Sequence, residues 1–254
     1  ETHAQGLNWI IGPSTMTAST DRPMTFVFGC FGGDPDSSAA YVREYVRGIG
    51  DTGVCVSLAW NDGSIEDIPD HHAPLMAGID AGAQSVFMPP IDVTSETAQS
   101  VSIRKKLADQ YGFHGLIVRK SHNVAKDLKP TDGALGRLAA SFTDGQDMII
   151  LPDDPDSIEP LCDYIMTRVR LKKIDVRTLD QSVRSILALK EKLGLPSAHF
   201  NNDDVMSGIG VREYGQTSRD IISQSITLLR NDGGIVPFDS RGRFVLFVNF
   251  SDSL

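Results

Sequence analysis

The chain has 254 residues, a net charge of −9, 41% hydrophobic and 22% charged residues. That length can bury a substantial core, and the composition is that of a globular protein. The acidic balance, with no basic stripe in view, excludes nucleic acid as a partner. The longest apolar runs, such as 244–248, are too short to span a bilayer, so no membrane partner is expected either.

Short apolar runs alternate with helical patterns along the chain. Strands are expected at 7–12, 54–59, 85–88, 116–118 and 148–151, and helices at 37–51, 70–81, 95–111, 133–142 and 157–171. In the first helix Ala39, Val42, Val46 and Ile49 recur at steps of three and four, which places them on one face. Asp34-Pro35 ahead of it supplies an N-cap and a proline for the first turn. Strand–helix repeats of this length build a parallel sheet, either a barrel or a doubly wound sheet.

A further helix is expected at 179–193, with Val183, Ile186, Leu187 and Leu193 as its apolar stripe and Gly194-Leu195-Pro196 as its stop. The polar stretch after it reads as a linker. Then come a helix at 217–230, the turn Asn231-Asp232-Gly233-Gly234 and a strand at 244–250. One helix and one strand make no core, so the organisation is a barrel domain at 1–196, a linker at 197–216 and the beginning of a second domain at 217–254.

Cys30, Cys55 and Cys162 are an odd number without C-x-x-C spacing, which argues against a disulfide framework and a structural zinc site. Buried free thiols, and reducing, cytoplasmic rather than secreted surroundings, are the expectation. The chain starts at Glu1 with no signal peptide in view, which decides nothing about what precedes it.

The order of these motifs resembles family 3 glycoside hydrolases, most closely their β-N-acetylglucosaminidase branch. Gly6-Leu7-Asn8-Trp9-Ile10-Ile11-Gly12-Pro13 is similar to the family's GINWxxAP strand, and Phe31-Gly32-Gly33-Asp34-Pro35 to its SFGxDP turn. Ile79 to Met88 resembles the IxAGAxxVM segment, and Tyr111 to Val118 the strand that delivers the nucleophile. Gly145-Gln146-Asp147-Met148 resembles the GxDM strand, residues 179–195 the barrel's last helix, and Ser225 to Asp232 the SIxLLxN opening of the family's second domain. The resemblance implies a TIM-type (β/α) barrel followed by the start of an α/β sandwich. Such a barrel has eight strands. Five are expected here, which implies that the strands before Leu7 are absent and that a missing segment or a protein partner covers an open barrel edge.

Retaining glycosidases need a carboxylate nucleophile and a separate acid/base group. The resemblance puts the nucleophile, an aspartate in a Ser-Asp pair, where this chain has Arg119-Lys120. A protonated lysine in that place, Lys120, cannot attack an anomeric carbon and repels the cationic transition state. The strand that should end in Lys-His ends here in Leu58-Ala59-Trp60-Asn61-Asp62, and the short stretch 62–70 leaves no long loop for an acid/base group. Met16 stands for a substrate-facing Asp, Gly29 for an Arg, and Met88-Pro89-Pro90-Ile91 for TAHI.

No catalytic group is therefore expected intact. Ligand-binding candidates are Trp60, Asn61, Arg119, Lys120, Asp153 and Asp154. Trp60 is either a flat sugar-stacking ring at the barrel mouth or a core residue. Asp153 and Asp154 either bind sugar hydroxyls or shape a turn before the next helix. Asp62, Asp67, Asp70, His71 and His72 are of metal-binding types, but their spacing fits no defined site, so neither metal nor cofactor is expected. Three functions stand beside one another. The first is a non-hydrolytic relative that binds carbohydrate, an amino sugar or acidic sugar, or a partner protein. The second is an active β-N-acetylglucosaminidase with catalytic parts outside this chain. The third is different chemistry at Lys120, such as a Schiff base.

Overall fold

A computed structural model describes residues 3–18, 30–60, 72–91, 103–121, 136, 139, 145–151, 158–195, 207–226, 228, 230–234 and 237. Within them five strands form one sheet: β1 (Trp9–Ser14), β2 (Cys55–Ala59), β3 (Ser85–Ile91), β4 (Leu116–Ser121) and β5 (Met148–Ile150). All four pairings are parallel and the spatial order is the chain order. A parallel sheet that winds in one direction without reversal is the ladder of a (β/α) barrel rather than of a doubly wound sheet, whose order reverses at a switch point. Helices α1 (Pro35–Gly50), α2 (Ala73–Asp80) and α3 (Ile103–Tyr111) follow the first three strands, and α4 (Ile158–Arg170) and α5 (Val176–Lys192) follow β5. Residues 136 and 139, within the helix expected at 133–142, are helical.

The main core lies between the sheet and its helices. Val42 and Val46 of α1, Leu75 of α2, and Ile103 and Leu107 of α3 close over Val56, Leu58, Val86, Met88 and Ile117. The stripe expected on α1 is there: Ala39, Val42 and Val46 are buried and Ile49 packs on the core. Asp34 caps that helix by accepting from the Ser37 backbone N–H at 2.8 Å. Hydrogen bonds from the Ser37 hydroxyl and, next, its backbone N–H hold the Asp34 carboxyl below the usual range. Gly78 lets α2 approach closely, since a Cβ there would lie 2.5 Å from Leu58 Cδ2. The Gly115 of the strand motif has the same role against backbone: a Cβ would collide with the Gln84 carbonyl.

The entry ends of the strands are tied by two polar side chains. Gln84 Oε1 accepts from Val56 N at 2.9 Å, while its own N–H donates to Val56 O and its carbonyl accepts from Leu116 N. Asp147 Oδ2 accepts from Ile117 N at 2.8 Å and from Arg104 Nη2 at 2.5 Å. This gives the Asp of the GxDM motif a structural task, clamping β5 to β4 and α3 at the entry end of the sheet.

Several boundaries differ from expectation for identifiable reasons. β1 starts at Trp9 and runs through Gly12-Pro13 instead of ending there. As an edge strand of the described sheet it loses no ladder bond to a proline, and its register shifts between Ile11 and Ser14. α5 starts at Val176 rather than 179 because Asp175 caps it, accepting from Arg177 N at 3.0 Å. Its buried face is also rotated. Ser182 and Leu189 are buried, with Ile186 and Leu193 packed beside Cys55 and Leu116, while Val183 and Leu187 of the expected stripe are exposed. Of the three free thiols only Cys55 is buried, which pushes its pKa up to about 11; Cys162 is exposed.

The chain divides into two units, 1–209 and 210–254. In the second, α6 spans Arg212–Ser225, so helix already occupies the end of the stretch expected as linker and stops short of Arg230. Its C-cap, Ile226, is extended. The strand expected at 244–250 lies outside the described residues. No helix among the described residues is long and apolar enough to cross a membrane.

Candidate functional site

In a strand, alternate residues face opposite sides, and parity therefore decides which side chains the exit end of the sheet can offer a ligand. Val56, Leu58 and Trp60 share one side with Val86, Met88, Ile117 and, by parity, Arg119, and this side packs on the helices. The other side carries Cys55, Ser57, Ala59, Ser85, Phe87, Leu116, Val118, Lys120, Met148 and Ile150, in register across the sheet. Its lower part is closed by α5 through Leu189, Ile186 and Leu193. There the hydroxyls of Ser57 and Ser85 hydrogen-bond each other, both fully buried. Its upper part opens: Ile150 is 37% exposed and Lys120 is exposed.

Lys120 thus sits at the exit end of β4 on the inner side, opposite Ile150 of β5. This is the location from which a strand-end side chain reaches a ligand in such a barrel. Being exposed, it lacks the enclosing apolar surroundings used by imine-forming lysines. Trp60 and Arg119 take the opposite parity, and each is only 3% exposed. The stacking reading of Trp60 gives way to packing in the main core, and Arg119 is buried on the same side by strand parity. Met16, which stands for a substrate-facing Asp, is likewise buried in the main core. Asn61, Asp153 and Asp154 lie outside the described residues, as do Asp62, Asp67, Asp70 and His71.

His72 has a role that its grouping with metal-type residues did not suggest. It is the N-cap residue of α2, and its Nε2 lies 2.5 Å from the Thr15 carbonyl at the end of β1. Because a carbonyl only accepts, Nε2 carries the proton. The ring packs edge-on against Trp60 with centroids 5.2 Å apart. Burial pushes its pKa down, opposed by the bond to Thr15, and keeps the imidazole neutral. Thr15 is itself tied to β2, its N–H donating to the Ala59 carbonyl at 3.0 Å and its hydroxyl at 3.3 Å. His72, Trp60 and Thr15 therefore fasten the exit ends of β1 and β2 to the start of α2.

Proteins of this build are known. The structural neighbours include β-glucoside phosphorylase BglX, with TM-score 0.71, 21% identity and 93% of this chain against 49% of that one. They also include the family 3 β-N-acetylglucosaminidase from Paenibacillus sp. str. FPU-7, with TM-score 0.70, 20% identity and 91% against 49%. The chain has the fold of the family 3 glycoside hydrolases. In sequence this family 3-like chain is 26% identical to the β-N-acetylglucosaminidase/β-glucosidase of Cellulomonas fimi, across 93% of its own length and 48% of the relative's. No family model matches it. The chain spans about half the length of that relative and of these two neighbours.

Proposed function

We propose that the chain is a non-hydrolytic, carbohydrate-binding relative of family 3 glycosidases. One observation carries the reading: Lys120, on the inner side at the exit of β4, stands where the resemblance puts the nucleophilic aspartate. An ammonium at that point disfavours an oxocarbenium-like transition state and favours an anionic ligand. The carbohydrate class comes from the relatives' names, and the preference within it comes from Lys120: an acidic sugar, with the acids Asp153 and Asp154 and the amide of Asn61 as further candidates for sugar hydroxyls. A protein partner covering the edges of β1 and β5 of the described sheet belongs to the same reading. The test is calorimetric titration with neutral and acidic amino sugars against wild type and Lys120→Ala. Binding that weakens with salt and with the substitution supports the proposal; binding unchanged by Lys120→Ala places the ligand elsewhere.

The second reading is an active β-N-acetylglucosaminidase whose nucleophile and acid/base lie outside this sequence. The half-length match to the relatives favours it specifically. It predicts that a longer natural chain containing these residues cleaves aryl β-N-acetylglucosaminides, and absence of cleavage by that chain rejects it.

A further inference from the structure

The acidic total of the chain hides a local exception. Between Tyr164 and Leu179 lie Arg168, Arg170, Lys172, Lys173 and Arg177 against a single acid, Asp175. The fold gathers these residues at the turn from α4 to α5 and holds the turn rigidly. Leu171 N donates to Thr167 O at 3.0 Å, Lys172 N to Val169 O at 2.9 Å and Lys173 N to Arg168 O at 2.8 Å, and Lys172 takes a left-handed conformation with φ 56°. Ile174, 5% exposed, anchors the turn. Arg168 is engaged with Tyr164, lying 4.7 Å over its ring. Arg170, Lys172, Lys173 and Arg177 are exposed, and no ion pair among the described residues holds them.

Two explanations internal to the protein cover only part of this. Cations in the last turn of α4 suit the negative end of a helix, which accounts for Arg168 and Arg170. It does not account for Arg177, in the first turn of α5, where acids are favoured and none is present. Nor does it account for the apolar side chains among the cations. Leu171 is 60% exposed at the turn and Val176 is 51% exposed beside it.

We propose that this turn is a peripheral docking surface for a membrane with anionic headgroups, its cations meeting the headgroups and Leu171 and Val176 entering the acyl boundary. Exposed aliphatic residues ringed by Lys and Arg suit that interface, whereas a soluble polyanion would use the cations alone. The net charge of −9 does not oppose this at physiological salt, because charges beyond a Debye length of about 8 Å are screened. The contact is peripheral and reversible, and it is separate from the inner side that carries Lys120.

The test is co-sedimentation of the full chain with vesicles of phosphatidylcholine alone and of phosphatidylcholine mixed with phosphatidylglycerol. The expected result is binding to the mixed vesicles only, lost at about 1 M salt, where the Debye length falls to about 3 Å. The pair Lys172→Glu and Lys173→Glu should lower the partition coefficient by roughly tenfold or more. Leu171→Ser should lower it several-fold at unchanged charge. Should the charge reversal disturb the helices, as circular dichroism would show, Lys173→Gln with Arg177→Gln serves as the second variant. Binding to neutral vesicles equally well, no binding to either, or binding indifferent to these substitutions overturns the proposal. So does equal binding to soluble polygalacturonate that Leu171→Ser leaves intact, since the partner is then a polyanion and not a membrane.

Discussion

The two sides of the sheet obey different rules. The helix-facing side is filled by Val56, Leu58, Val86, Met88 and Ile117 under three helices, and Trp60 and Arg119 are buried with them. The inner side is closed by α5 at its lower part, where it holds a buried serine pair, and opens at the exit to Lys120 and Ile150. Adjacent residues in one strand therefore have unrelated surroundings: Arg119 is buried, and Lys120 is exposed at the exit end.

Substitutions at the two sides should separate stability from binding. The largest effect is expected at Trp60→Ala, which empties a buried site and should lower unfolding free energy by about 3–5 kcal/mol in denaturant titration. Lys120→Ala, on the open inner side, should change it by less than about 0.5 kcal/mol while altering ligand affinity. A Trp60→Ala protein that is as stable as wild type but binds sugar worse would reverse the assignment of the two sides.

At the entry end, Asp147→Ala should cost about 2–3 kcal/mol. It leaves Ile117 N and Arg104 without their carboxylate partner, although Arg104 is partly exposed and regains water. Loss of function without loss of stability at Asp147 would contradict its role as a clamp.

Much of this architecture was legible beforehand. The order and parallel sense of the strands followed from short apolar runs separated by helical patterns, and Asp34 with Ala39, Val42 and Val46 placed α1 on the core. Parity was not legible. Leu116, Ile117 and Val118 are all buried, so β4 shows no alternation from which to tell where Arg119 and Lys120 point. Trp60 follows β2, whose residues are buried throughout, and it was equally ambiguous. The apolar residues of α5 fall on two faces, and only packing against Cys55 and Leu116 selects between them. His72 could not be assigned because its partners, Thr15 and Trp60, are distant in sequence.

Smaller effects sharpen the picture at the exit end. Asp34→Ala should lower the denaturant midpoint slightly through loss of the α1 cap. For His72 the folded pKa is depressed, so the unfolded chain binds the proton more readily. Its contribution is present above the unfolded value of about 6.5 and is lost as pH falls below it through the folded pKa. Stability measured as a function of pH should decline on that acid side, and His72→Gln should flatten the slope. An unchanged slope would mean that the ring is not held neutral by its surroundings.

The most direct test of the account is release of the aryl group from aryl β-N-acetylglucosaminides and β-glucosides by the repurified chain, wild type beside Lys120→Ala. On the proposal that Lys120 stands in place of a nucleophile, no turnover above the buffer blank is expected from either protein. Turnover that survives repurification and disappears in Lys120→Ala would contradict the account.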